Sequence, residues 1–175
     1  MIEGLEVRES RATDLAAIEV LYPEAFPDED LLPLVRDLLR EEAAVLSLVG
    51  VVGGSVAGHV IFTTGHISSG TDRVSLLGPL AVTPAHQGQG IGSALVRAGL
   101  QRLEHAGLSQ VLVLGDPAYY GRFGFAPERG VMPPYPLPEA WHDAWQSLSL
   151  RDAQAPPQGK LSLPQPWLQP ALWAP

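Results

Sequence analysis

The stretch HQGQGIGSAL, residues 86–95, sets Gly88, Gly90 and Gly92 at alternate positions between a strand-like run and a helix-like run. Glycine this dense raises the entropy lost on folding, so the fold must require it. A strand, a glycine-rich turn and a helix N-terminus in succession make an anion site. Backbone N–H groups and the positive end of the helix dipole converge there, and no Cβ keeps a phosphate away. Two nucleotide-binding patterns can be tested at once. The pattern G-x-x-x-x-G-K-[ST] is absent, and G-x-G-x-x-G needs glycine at position 93, where Ser93 stands. The bland alternative is a tight strand-to-helix turn with a close helix–sheet contact.

The flanking sequence places this turn in an α/β chain. LEVRES (5–10) alternates and predicts a short strand. Thr13 and Asp14 are helix caps for a helix ending near Pro23, and residues 28–42 predict a second helix with an acidic front. Two apolar, β-branched runs at 44–52 and 56–68, joined by Gly53-Gly54-Ser55, predict a hairpin. Residues 73–82, RVSLLGPLAV, form a third strand of this group, and Gly78-Pro79 within it predicts a bulge or splay, because proline cannot donate to a ladder. A helix from the glycine turn stops at Gly107. A buried strand, LSQVLVLGD, and a short helix and turn, PAYYGRFGF, follow.

Composition narrows the partners. The net charge of −8 argues against nucleic acid or an anionic membrane as partner and mildly favours a cationic substrate. With no cysteine, the chain has no disulfide, no thiolate nucleophile and no cysteine metal site, and any thiol chemistry falls to a cofactor. The charged start, MIEGLEVRES, and the lack of a membrane-length apolar run predict a cytoplasmic protein.

LGPLAVTPAHQGQGIGSAL resembles motif A of the GNAT superfamily of N-acetyltransferases. The pattern Q/R-x-x-G-x-G/A is matched by Gln87, Gly90 and Gly92. VLVLGDPAYYGRFGF resembles motif B, ending in Y-x-x-x-G-F at Tyr120, Gly124 and Phe125. The resemblance covers roughly residues 5 to 130. It implies a GNAT-like fold: a mixed central sheet flanked by helices, with strands splayed at the cofactor site. It further implies acetyl-CoA as cofactor, its pyrophosphate held by the glycine turn and its pantetheine arm paired with the preceding strand. The residues it assigns to the coenzyme are Leu80, Ala81, Val82, Gln87, Gly88, Gln89, Gly90, Ile91, Gly92 and Ser93.

The implied reaction is direct transfer of acetyl to a primary amine of a small molecule or peptide. A phenol is protonated at neutral pH and can protonate the departing thiolate, a transfer uphill by roughly 2 kcal/mol. The family position gives this role to Tyr120, with Tyr119 as competitor. A backbone N–H near Ala81 or Val82 is the implied donor to the oxyanion. The general base stays open. Residues 73–82 contain no acid, and Glu24, Asp28, Glu29 and Asp30 are candidates beside a plain solvated loop. Asp116 reads first as an N-cap, and Arg122 is a minor candidate for an extra contact to coenzyme or acceptor. His59 and His66, seven apart on one strand, face opposite sides, and no metal site is expected.

The expected domain is 1–150, with a Pro/Trp-rich extension at 151–175 packed on it. Trp141, Trp145, Trp167 and Trp173 argue against a disordered tail. A non-catalytic acyl-CoA-binding domain of the same fold is the alternative, and a homodimer is compatible with either.

Overall fold

The computed structural model describes residues 2–68, 70, 72–151 and 156–175. Residues 69 and 71, before the predicted strand at 73–82, and residues 152–155 of the expected extension lie outside the described residues. The chain divides into two compact units, Met1–Phe62 with Gly78–Gln101, and Thr63–Leu77 with Arg102–Pro175.

In the first unit, β1 (Leu5–Glu9) lies antiparallel to β2 (Val45–Val52), in register from Leu5↔Val52 to Glu9↔Leu48. Next in the sheet come β3 (Ser55–Ile67) and β4 (Arg73–Val82), both of which continue into the second unit. Gly53 and Gly54 turn the chain between β2 and β3 with φ of 57° and 80°. That left-handed backbone suits glycine, as the hairpin signal predicts. Just past the end of β4, the Thr83 N–H donates to the Ala57 carbonyl of β3 at 2.8 Å. Every residue from Ala57 to Phe62 is buried. A strand covered on both faces reads as a continuous apolar run rather than an alternating one, and this explains the sequence of β3.

Two helices precede the sheet. α1 (Leu15–Ala25) carries Pro23 inside it and ends two residues later, near the position the sequence predicts. So near the C-terminus the missing N–H removes a single bond of the last turn, and the helix runs on. α2 (Leu32–Arg40) starts later than the sequence predicts, with Pro33 in its first turn. Proline is pre-organised for that position, which leaves Asp28, Glu29 and Asp30 in the preceding loop. Leu34, Val35 and Leu38 form the buried stripe of α2.

α3 (Ile91–His105) approaches the strands closely because glycine removes the obstacles. A Cβ on Gly58 would lie 2.9 Å from both Ile91 Cγ2 and Leu95 Cδ1. One on Gly99 would lie 2.0 Å from the Phe62 ring. Close packing of this kind leaves no room for one extra methyl group.

In the second unit, β4 runs parallel to β5 (Gln110–Leu114) over four pairs, Val74↔Gln110 to Leu77↔Val113. The ladder stops one residue before Gly78, whose peptide bond to Pro79 is cis. β8 (Trp145–Ser149) is antiparallel to β5 on its other side, and β6 (Ala126–Pro127) pairs with β8. The tail contributes β9 (Gly159–Ser162), antiparallel to the end of β3 and parallel to β7 (Val131–Met132). The sheet is therefore mixed. Of the four tryptophans, Trp145, Trp167 and Trp173 are buried and Trp141 is half-buried. Each buried indole N–H finds an acceptor: the Val131 carbonyl, the Thr63 hydroxyl and the Trp167 carbonyl. Tryptophan buried without such a partner would forfeit a hydrogen bond, so these three bonds fix how the tail folds.

Among the described residues, no helix is long and apolar enough to cross a membrane.

Candidate functional site

The glycine turn follows β4 and opens α3. Gly88 and Gly90 have φ of 75° and 88°, and a Cβ on either would meet nothing within 4 Å. The requirement at these two positions is therefore backbone conformation, not space. Gly92 has no such conformation and belongs to the first turn of α3. The first bond into the helix runs from the Ala94 N–H to the Gly90 carbonyl at 3.0 Å. The N–H groups of Ile91 and Gly92 thus have no acceptor inside the helix. Gly88, Gln89 and Gly90 are exposed and, with Ile2, line a cleft of about 570 Å³. No lysine or arginine lies between Leu80 and Ser93. An anion in this cleft meets backbone dipoles and the helix terminus rather than a charged side chain.

Several of the predicted coenzyme residues act through backbone or through support. The Ile91 side chain is buried beneath Gly50 and Gly58, so only its backbone reaches outward. The Gln87 amide donates to the Val82 carbonyl at 3.0 Å and ties the turn to the end of β4. The Thr83 hydroxyl meets His86 Nδ1 at 3.1 Å and braces the same turn. Because the Thr83 N–H points to β3, strand alternation turns the N–H and C=O of Val82 the other way. Of the two donors considered for an oxyanion, Val82 therefore presents its N–H away from β3 and Ala81 does not.

In the second unit, α4 (Pro117–Tyr120) begins at Asp116, whose carboxylate accepts from the Ala118 N–H at 2.9 Å. This is the N-cap the sequence predicts. The cap and Pro117 fix the short helix that carries both tyrosines. The Tyr120 ring packs with one edge close to Gly115, where a Cβ would overlap Tyr120 Cε2. It also meets Tyr119, Phe125 and Phe123 at centroid distances of 5.0, 5.8 and 6.4 Å. Burial first, and then the neighbouring Tyr119, push the Tyr120 hydroxyl above its ordinary range, so it stays protonated at neutral pH. Tyr119 carries the guanidinium of Arg122 over its ring at 4.5 Å.

Sequence reasoning missed Gly115. Its N–H donates to the Ala144 carbonyl and its carbonyl accepts from the Gln146 amide, so β8 and the residue before it hold the glycine on which Tyr120 rests. A glycine between a strand and an Asp-Pro cap was the available signal.

A second buried polar group lies in the first unit. His59 is fully buried, with Nδ1 2.7 Å from the Tyr22 hydroxyl and Nε2 2.8 Å from the Ser47 hydroxyl. Ser10 donates to Ser47 at 2.7 Å. Burial drives the imidazole down to about 3, against a smaller opposing pull from Asp14, so the ring is neutral. His66, seven residues on, is exposed on the opposite face. Tyr22 also lines a cleft of about 350 Å³ with Phe26 and the exposed acids Asp28, Glu29 and Asp30.

Comparison with known proteins bears on both units. The sequence profile of the acetyltransferase (GNAT) family matches residues 13–125. The uncharacterized N-acetyltransferase YjhQ of Escherichia coli strain K12 is 37% identical over 148 residues, covering 81% of this chain and 80% of its own. The crystal structure of YhbS from Escherichia coli in complex with CoA superposes with a TM-score of 0.84 at 29% identity, covering 97% of this chain and 94% of that one. A GNAT family acetyltransferase from Brucella melitensis in complex with acetyl-CoA gives a TM-score of 0.74 at 32% identity, over 93% and 97% of the two chains.

Proposed function

This chain is an acyltransferase belonging to the acetyltransferase (GNAT) family, and from that premise we propose that it transfers acetyl from acetyl-CoA to a primary amine by direct attack. The observation that carries the cofactor is the turn itself. Two left-handed glycines leave exposed backbone at the start of α3, where a pyrophosphate needs donors. The related proteins solved with CoA and acetyl-CoA support the same ligand here.

On this reading the N–H groups of Gly88 to Ser93 hold the pyrophosphate, and Leu80 to Val82 pair with the pantetheine arm. The Val82 N–H stabilises the oxyanion that forms when the amine attacks the thioester carbonyl. The C–S bond then breaks, Tyr120 protonates the departing thiolate, and the protons shed by the attacking nitrogen pass to solvent, from which Tyr120 is reprotonated. Its raised pKa makes the phenol a weaker acid than a free one, so the proton moves late, as negative charge builds on sulfur. The acidic cleft of Asp28, Glu29 and Asp30 suits a cationic acceptor. Residues 1–150 carry the chemistry and 151–175 form an extension of that domain.

The test is thiol release from acetyl-CoA against a panel of primary amines: a polyamine, a peptide N-terminus and an aminoglycoside. Amine-dependent release that the Tyr120→Phe variant loses supports the reading. Acetyl-CoA binding without release on any amine would instead favour a non-catalytic acyl-CoA-binding domain.

A further inference from the structure

The second unit contains a cavity of about 440 Å³ that none of the coenzyme residues, nor Tyr120, lines. Its walls are Met132, Pro133, Pro134, Tyr135, Leu137 and Trp145. That volume lies in the ordinary range for small-molecule sites, which are mainly apolar with a few placed polar groups.

The walls are held before any ligand arrives. The prolines fix φ on one side. Trp145 is pinned by its N–H to the Val131 carbonyl at 2.8 Å. Parallel pairing of β7 with β9 sets Met132 directly opposite Lys160. A preformed pocket avoids much of the ordering cost of binding.

The charges at the rim are unequal in availability. The Glu128 carboxylate accepts from Gln110, from Ser147 and from the N–H groups of Gly130 and Val131, at 2.6–3.0 Å. Four donors fill its acceptor sites, so its oxygens are already engaged. Arg129 is held by Asp143 at 2.8 Å and by the His142 carbonyl. Lys160, the one lysine of the chain, makes no ion pair among the described residues. On a protein of net charge −8, an apolar pocket whose available charge is positive runs against the global field.

We propose that this cavity binds a small aromatic carboxylate, its ring against the Met132 and proline wall and its carboxylate on the Lys160 ammonium. Its lining shares no residue with the coenzyme set or with Tyr120, and its test needs no acetyl-CoA. Calorimetric titrations with 2-naphthoate, 2-naphthylmethylamine and 2-naphthalenemethanol separate charge from ring. Naphthoate should bind at least tenfold more tightly than the amine, despite the acidic protein. Lys160→Met should reduce that preference below threefold while leaving the alcohol unchanged. Met132→Glu, at an exposed position, should abolish naphthoate binding without altering the fold. No naphthoate binding at 1 mM (on the order of the weakest useful affinity), equal binding of acid and amine, or a preference that survives Lys160→Met would each overturn the proposal. So would a dimer that Met132→Glu splits and that binds no naphthoate, because the face would then belong to a second copy of the chain.

Discussion

His59 should make this protein acid-sensitive well above the range in which carboxylates titrate. In the folded chain burial holds its pKa down to about 3, against an ordinary 6.5. The unfolded chain therefore binds a proton between those limits that the folded chain refuses. The stabilising effect of the neutral ring is complete above 6.5 and is lost as pH falls toward 3. The slope approaches about 1.4 kcal/mol per pH unit, so lowering pH from 6.5 to 4.5 should cost about 2–3 kcal/mol from this one group. Asp14 works in a lower window. Its hydrogen bond to Arg8 lowers its pKa below 3.8, so its contribution is lost only beneath that value. Urea unfolding at half-unit steps from pH 7.5 to 4.5 reads the slope. His59→Gln removes the titrating ring and should flatten the profile, though it lowers stability at pH 7 by disturbing the bonds to Tyr22 and Ser47. A wild-type stability constant from pH 7 to 5, or an unchanged slope in the variant, would refute the reasoning.

Other expectations concern the two motifs and the tail. Tyr120→Phe should reduce turnover by about 10²–10⁴-fold, the usual worth of a positioned acid, while the acetyl-CoA dissociation constant moves less than threefold; a variant with normal turnover removes Tyr120 from the chemistry. Gly90→Ala forces a side chain into φ of 88° and should cost about 1–2 kcal/mol, read by urea unfolding, with weaker acetyl-CoA binding by calorimetry. Trp173 is buried against Trp145 and Trp167, so Trp173→Ala should lower stability by about 3–5 kcal/mol. A change below 1 kcal/mol, on the order of a surface substitution, would mean the tail does not stabilise the fold.

What the sequence exposes and what it hides divide along a physical line. Gly88, Gly90 and the Asp116 cap are local devices, and each demands a residue type at a fixed offset from a helix start. They were legible for that reason, as was the hairpin at Gly53-Gly54. Proline positions were harder. Pro23 and Pro33 look alike in sequence, yet one sits in a last turn and the other in a first, where the lost N–H matters differently. Non-local contacts were invisible. Gly115 beneath the Tyr120 ring, the four donors on Glu128, and the His59 bond to Tyr22 across 37 residues depend on how strands are brought together. The apolar cavity belongs to this group, because β7 and β9 are short and lie far apart in the sequence.

Thermal unfolding with and without acetyl-CoA, beside NAD and ATP as controls, tests the central claim most directly. A ligand at 100 times its dissociation constant adds about 2.7 kcal/mol, which for a chain of this size raises Tm by roughly 5–11 °C. A rise of that order with acetyl-CoA, little with NAD or ATP, and a smaller one in Gly90→Ala is the predicted result. No shift at saturating acetyl-CoA would contradict it and return the glycine turn to a purely structural role.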